Sequence, residues 1–251
     1  MKKFQPTCQL LLVTVFALLV SACSSKPELG DDAIPPTVAL PKDTNEENLN
    51  NDILDPFEGF NRRMYYFNAK ADEHVILPVV KGYQAVTPDF VEKGVSNFFN
   101  NLGEVPTFIN SVLQLKIGIA AETFGRFAVN TTIGLAGLFD VATPIGLEEQ
   151  QEDFGQTLGY WGVSSGPYLV LPLMGPSSLR DAVGASIDMV AFSAAVDELG
   201  MKSEEEAFLS LLRGIDTRAS IPFRYYASGS AFEYEKLRLL YLKYRELQVA
   251  R

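Results

Sequence analysis

The chain has 251 residues and a formal net charge of -10 at neutral pH, with two cysteines and one histidine. The acidic balance argues against nucleic acid as a partner, because a polyanion would be repelled. Two cysteines and one histidine are also too few for a zinc site built from these residues, and the carboxylates show no calcium-loop spacing. We therefore predict no metal site and no cofactor.

The first 22 residues have the organisation of a bacterial lipoprotein signal peptide. Lys2 and Lys3 form a basic start, and the apolar segment 10–20 follows. That segment is too short to span a hydrocarbon core, which needs about 20 residues. The stretch VSAC ends it and resembles a lipobox, so we predict cleavage before Cys23 and acylation of that residue.

Cleavage would leave a mature chain without a free thiol. Cys8 would leave with the signal peptide and Cys23 would carry lipid. Ser24 stands where an aspartate would resemble the signal that retains lipoproteins in the inner membrane. The sequence therefore predicts a lipid-anchored protein on the periplasmic leaflet of the outer membrane.

Residues 23–54 follow the signal as the lipidated cysteine and an acidic, proline-containing segment that is poor in aromatic residues. This composition is typical of a disordered tether, which would span roughly 30 Å. Residues 55–251 are predicted to form a single helical domain.

The stretch Asp55-Pro56-Phe57-Glu58 predicts the start of the first helix. Asp55 is a candidate N-cap, Pro56 suits the first helical position, and Glu58 is placed to reach back to the cap. Two interpretations of the apolar stripe remain open: packing in a core, or a face turned outward to lipid. The stripe consists of Phe57, Phe60, Met64, Phe67 and Ala71.

Similar patterns predict further helices, while alternation with period two occurs only at 167–174. The predicted fold class is all-α, with short amphipathic helices that lie in one membrane leaflet and a glycine- and proline-rich hairpin. The helices are expected over 87–103, 106–115, 117–130, 177–199, from Ser203, and along the stripe from Tyr234 to Leu247.

The last of these helices carries four basic residues in an acidic protein. We interpret them as a basic face, which either docks an acidic partner or lipid headgroups or is simply solvated. The four are Lys236, Arg238, Lys243 and Arg245.

The segment GVSSG at 162–166 matches the G-x-S-x-G pattern of a hydrolase nucleophile. In that pattern a helix follows the serine, and the catalytic histidine comes later in the chain. Here Gly166-Pro167 follows Ser164 closely, and His74 precedes the serine by 90 residues. Without a base the hydroxyl is not activated. We predict no enzyme activity, with a Ser164-dependent lipid hydrolase as an alternative.

Three segments resemble the MlaA/VacJ family of outer-membrane phospholipid-transport lipoproteins. They are DPFEGFNRRMYYFN at 55–68, FGQTLGYWGVSSGPYLVLPLMGPSSLRD at 154–181, and GIDTRA at 214–219. The resemblance covers nearly all of the chain from Asp55 to the late 240s. The first two segments are long and unusual in composition, so they identify the family specifically.

The resemblance implies a ring-like array of amphipathic helices in the inner leaflet around an amphipathic channel. Glycerophospholipids misplaced in the outer leaflet would pass through it to a soluble periplasmic lipid-binding carrier, which feeds an inner-membrane ABC transporter. Such proteins also associate with trimeric porins. A non-catalytic tethered adaptor that organises porins is the other function that the sequence leaves open.

The resemblance also implies roles by position. The residues expected along the channel are Phe60, Asn61, Gly159, Gly162, Val163, Gly166, Pro167, Leu169, Leu171, Pro172 and Gly175. The residues expected to brace the ring are Asp55, Pro56, Glu58, Gly59, Arg62, Phe154, Gly155, Arg180 and Asp181.

Overall fold

The computed structural model describes residues 55–197, 200 and 203–251. The predicted signal peptide at 1–22, the lipidated Cys23 and the tether to residue 54 lie outside these residues.

Eight helices and one hairpin account for most of the described residues, which confirms the predicted all-α class and its hairpin. None of the described helices is both long enough and apolar enough to cross a membrane. The elements are α1 (Glu58–Ala71), a π-helical turn (Asp72–Ile76), α2 (Leu77–Val86), α3 (Asp89–Leu113), α4 (Ile117–Thr132), a 3-10 turn (Thr143–Ile145), α5 (Phe154–Tyr160), β1 (Tyr168–Leu171), β2 (Gly175–Ser178), α6 (Leu179–Asp197), α7 (Ser203–Ser220) and α8 (Glu233–Ala250).

The predicted capping box at the start of α1 is wrong. The helix begins at Glu58, and the Asp55 carboxylate accepts the N–H of Phe57 at 3.0 Å instead of capping a helical turn. Asp55 is also held by the Tyr234 hydroxyl. Glu58 pairs with Arg62 at 2.7 Å and does not reach back. The distant Tyr234 binds the Asp55 carboxylate, and Arg62 of the same helix binds the Glu58 carboxylate.

The buried face of α1 combines Asn61 and Asn68 with Tyr65 and Ala69, and the core-packing interpretation is wrong for the phenylalanines of the stripe. Phe57, Phe60 and Phe67 are each close to half exposed. Asn61 and Asn68, which lie off that stripe, are buried. Hydrophobic periodicity located the helix correctly, and of the two open interpretations the outward-facing stripe fits the exposed phenylalanines.

Other helices repeat this arrangement. Phe124 of α4 is 60% exposed, whereas Arg126 of the same helix is 2% exposed. Along α3, Phe90 is exposed and Asn110 is buried. Among the described residues, buried polar side chains outnumber buried apolar ones. The interior is therefore held largely by hydrogen bonds and ion pairs.

Among the described residues, buried apolar side chains form two small clusters. One joins α1, the hairpin and α8, and the other joins α3 and α6. The first contains Tyr65, Tyr168, Val170 and Tyr234, and the second contains Phe99, Leu102, Phe192 and Val196.

The two helices predicted at 87–103 and 106–115 are one continuous helix, α3, with Pro106 inside it. Proline removes a backbone donor and normally ends a helix. Here Thr107 donates its hydroxyl to the Gly103 carbonyl at 3.0 Å, and Asn110 donates to the Pro106 carbonyl at 2.9 Å. Both halves also pack against α4 and α6, which outweighs the local preference to stop.

The crossing of α5 and α6 depends on two glycines. A Cβ at Gly184 would lie 2.3 Å from the backbone nitrogen of Gly155 and 2.7 Å from its Cα. These distances are shorter than any non-bonded contact tolerates, so only glycine lets the two helices approach this closely.

We expect Gly184→Ala to destabilise the fold by about 1 to 3 kcal/mol, because the added methyl group collides with backbone atoms that cannot rotate away. Gly103→Ala is the matched control, because a Cβ there meets nothing within 4 Å. The control should be neutral or gain up to about 1 kcal/mol of helix stability. Thermal unfolding in detergent, followed by circular dichroism, measures both changes. Equal stability of the two variants would contradict the close approach.

Candidate functional site

Asn61 connects α1 to the edge of β1. Its side-chain amide donates to the Tyr168 carbonyl at 3.0 Å, and its amide oxygen accepts the Val170 N–H at 2.8 Å. A third bond joins it to Asp55 at 2.9 Å. The residue is fully buried. Asn61 was predicted to lie along the channel, and the structure places it in this brace with its amide occupied.

Asn68 repeats the arrangement two helical turns later. It donates to the Leu171 carbonyl at 2.9 Å and accepts the Leu173 N–H at 2.7 Å. Leu173 has a φ of 63°, an unusual value for a residue with a side chain. The two bonds from Asn68 flank this strained hairpin turn and help to hold it.

A cavity of about 840 Å³ lies where the hairpin, the start of α6 and the end of α8 meet residues 55–57. Part of its wall is apolar and part is charged, so its lining is amphipathic. Leu242, Val249, Phe57 and Tyr168 supply apolar or aromatic surface, and Arg180, Asp181, Arg245 and Glu246 supply charge.

Arg245 is the centre of the charged part. It binds Asp153 through two nitrogens at 2.6 and 2.8 Å, and Asp181 through two nitrogens at 2.9 and 3.0 Å. Asp181 also accepts the Tyr241 hydroxyl at 2.8 Å and pairs with Arg180 at 3.1 Å. Asp153 caps α5 and Asp181 lies in the first turn of α6, so one guanidinium ties both helix starts to α8.

These contacts shift the pKa values of the carboxyl groups. Burial opposes ionisation of Asp181 and Asp153, but the bonds from Arg245 outweigh it and hold both pKa values below normal. A lowered pKa contributes stability above the unfolded value, near pH 4 for aspartate. That contribution is lost as the pH falls through the folded value.

The structure brings six of the predicted site residues to this cavity. A Cβ on Gly159, another predicted residue, would lie 2.7 Å from Val249, so this glycine lies behind the cavity wall. The six are Asp55, Pro56, Gly166, Pro167, Arg180 and Asp181.

The remaining predicted residues lie elsewhere. Gly155 and Phe154 are in α5, and Leu169 and Leu171 are half-buried in β1. Gly175 is buried at the start of β2 with a φ of 84°. Exposed or partly exposed positions are Phe60, Gly59, Glu58, Arg62, Gly162, Val163 and Pro172.

Two residues of α8 that support the cavity were misread from the sequence. Arg238 and Arg245 are buried and ion-paired, which corrects the predicted basic face, whereas Lys236 and Lys243 are exposed. The sequence signal that could have revealed the burial of these two arginines was their spacing relative to two tyrosines. Tyr234, Arg238, Tyr241 and Arg245 recur at intervals of four, three and four residues, which places them on one helix face.

The comparisons with known proteins place the chain in a family. The family model described as MlaA lipoprotein matches residues 53–248. The chain belongs to the MlaA lipoprotein family. An uncharacterized protein of Rickettsia typhi is 34% identical over 202 residues, which cover 79% of each chain. The intermembrane phospholipid transport system lipoprotein MlaA of Escherichia coli is 36% identical over 171 residues, which cover 66% of each chain.

A solved structure supports the same assignment. It belongs to work on the structural basis for maintenance of bacterial outer membrane lipid asymmetry. The match has a TM-score of 0.64 and 30% identity, and it covers 78% of this chain and 99% of the solved chain. The fold described above is therefore the MlaA fold.

We expect Arg245→Met to destabilise the protein by about 1 to 3 kcal/mol, because Asp153 loses its cation and the buried Asp181 keeps only Arg180 as a cationic partner. Arg63→Met replaces an exposed arginine and should change stability by less than about 0.5 kcal/mol. Chemical unfolding at pH 7 measures both. Below about pH 4 the difference between wild type and Arg245→Met should shrink, because the carboxylates become neutral. A difference that is constant with pH would contradict this assignment.

Proposed function

We propose that this protein moves glycerophospholipids between the outer membrane and a soluble periplasmic carrier, through an amphipathic path in its helical body. The single observation that carries this proposal is the reversed polarity of the helices, which expose apolar side chains and bury many polar ones. It is supported by the relatives, which are named as lipoproteins of an intermembrane phospholipid transport system.

Reversed polarity is unfavourable in water. Exposed aromatic and aliphatic side chains lose the free energy that burial would give, about 25 cal/mol per Å². Along α1, α3, α4, α6 and α8 such side chains point outward while polar ones are buried. Helices with an apolar outer face are stable when that face contacts acyl chains. We therefore propose that the body lies in the inner leaflet, in addition to the predicted lipid anchor at Cys23.

The large cavity fits an amphipathic cargo. Leu242 and Val249 provide surface for acyl chains, and the Arg180–Asp181–Arg245 cluster provides partners for a headgroup. Moving a lipid between environments makes and breaks no covalent bond, so such a path requires positioned polar and apolar surfaces only. We infer that transport proceeds without catalysis by this chain.

The partners are part of the proposal. A ring-like body in one leaflet needs a neighbouring protein at which it receives outer-leaflet phospholipid and a periplasmic protein that takes the lipid away. We propose a trimeric porin beside the protein in the outer membrane, and a soluble lipid carrier that feeds an inner-membrane ABC transporter. The tether at 23–54 would allow the body to meet these partners while it remains anchored.

A photocrosslinking amino acid at Leu242 or Val249 should capture phospholipid in cells, because both positions line the cavity. The same group at Phe124 should also capture phospholipid, because this side chain faces outward. Glu204, in the exposed acidic first turn of α7, is the control and should capture little. Mass spectrometry of the crosslinked protein identifies the lipid.

The pattern of capture separates the parts of the proposal. Capture at Phe124 without capture at Leu242 or Val249 would place the body in lipid but contradict a path through the cavity. No capture above the Glu204 background at any of the three positions would overturn the proposed function.

The alternative of a lipid hydrolase rests on Ser164, which is exposed in the turn before β1. His74 is also exposed, and its ring bonds to the Lys70 carbonyl in its own helical segment at 3.0 Å. We expect Ser164→Ala to leave outer-membrane phospholipid composition in cells unchanged, as should Ser186→Ala at an exposed serine outside the cavity. Thin-layer chromatography of labelled lipids measures both. Altered phospholipid turnover in Ser164→Ala alone would support the hydrolase.

A further inference from the structure

A second cavity, of about 290 Å³, lies between the middle of α3, residues 149–151 and α7. Its volume is slightly below the roughly 300 to 1,000 Å³ of pockets that hold drug-sized ligands. It is therefore large enough for a phospholipid headgroup but not for a whole lipid. Charged side chains on its wall are Arg213, Glu104, Asp216 and Glu149.

Arg213 lies at this cavity without an anionic partner. Its guanidinium carbon is 3.5 Å from the centre of the Phe192 ring, a cation–π contact that orients the group. Within the described part of the chain it forms no ion pair, and burial lowers its pKa. An arginine nevertheless stays charged at neutral pH. Its planar array of donors matches the oxygens of a phosphate.

The acidic side of the cavity has unused acceptor capacity. Glu104 is 2% exposed, and its Oε1 accepts Arg126 at 2.7 Å, while its Oε2 has no hydrogen-bond partner among the described residues. Asp216 is also buried and accepts the Ser96 hydroxyl at 2.6 Å. Burial raises the pKa of both carboxyl groups, that of Glu104 to about 7. An added cation would favour their charged forms.

A simple anion would satisfy Arg213 but would be repelled by the carboxylates. A simple cation would pair with the carboxylates but would be repelled by Arg213. Because Arg213 does not pair with these carboxylates, a ligand that carries both a phosphate and an ammonium group can satisfy the two sides together.

We propose that this cavity binds the headgroup of a zwitterionic glycerophospholipid of the phosphoethanolamine class, with Arg213 on its phosphate and the carboxylates of Asp216 and Glu104 on its ammonium group. This inference rests on the proposed function and adds a headgroup preference to it. The site is separate from the cavity beside Arg245, which contains none of these residues.

The test uses the purified full-length protein in detergent micelles. Isothermal titration calorimetry compares dihexanoyl phosphatidylethanolamine with dihexanoyl phosphatidylglycerol, which carries the phosphate but no ammonium group. We expect the wild type to prefer phosphatidylethanolamine by about tenfold or more, since a hydrogen-bonded charge pair is lost with the other lipid.

Arg213→Gln should weaken binding of both lipids by about tenfold or more, because both carry phosphate. Arg213→Lys keeps the charge and should bind more tightly than Arg213→Gln. Asp216→Asn keeps an acceptor for Ser96 and should weaken phosphatidylethanolamine alone. Arg63→Gln, a change at an exposed arginine outside both cavities, is the matched control and should behave as wild type. Thermal unfolding of each variant establishes that it is folded.

Three results would overturn the headgroup site: Arg213→Gln that is folded and binds as wild type, equal affinity of wild type for the two lipids, or inorganic phosphate binding as tightly as the lipid with the same dependence on Arg213. The last result would indicate a free-phosphate site. Crosslinking from Leu242 and Val249 is an independent readout. If it succeeds while these titrations fail, the lipid path stands and the headgroup site falls. If crosslinking fails while the titrations succeed, the headgroup site stands and the lipid path through the first cavity falls.

Discussion

Two side-chain amides on one face of α1 take the place of a neighbouring strand. The hairpin is the only sheet in the described part of the chain, so the outer edge of β1 has no strand beside it. Asn61 and Asn68, seven residues apart, supply donors and acceptors to four backbone groups along β1 and at the hairpin turn that follows it. Unpaired buried backbone groups would each cost about 1 to 3 kcal/mol. The position of the hairpin, and of Tyr168 against α8, depends on these bonds.

The need to pair buried polar groups extends through the interior. Turning apolar side chains outward leaves polar ones inside, where each must find a partner. Arg245 between two aspartates, Arg126 against Glu104, and Asp72 against Arg218 meet this requirement. Buried pairs add little net stability compared with apolar packing, but losing one partner is costly. Such an interior fixes the geometry of the helices, and it leaves polar surface available to a cargo that is itself polar at one end.

Several helices could be predicted from the sequence because their periodicity is strong. The helix at Ile117–Thr132 and the hairpin near 167–174 match the predicted positions closely. The direction in which the helices face could not be predicted from α1, because periodicity shows that two faces differ and not which one meets solvent, lipid or core. The helix break predicted before Pro106 was wrong for a related reason, because the packing on both sides of the proline is a tertiary effect.

The sequence by itself determined the helical class, the hairpin and the family, because periodicity and the segments at 55–68 and 154–181 are local properties of the chain. It also singled out Arg180 and Asp181, which follow the hairpin directly. Only the tertiary structure decided that Arg245 joins them, that Asp55 binds Tyr234, and that Arg213 lacks an anionic partner among the described residues. These contacts join residues far apart in the chain, and no local pattern encodes which charges meet.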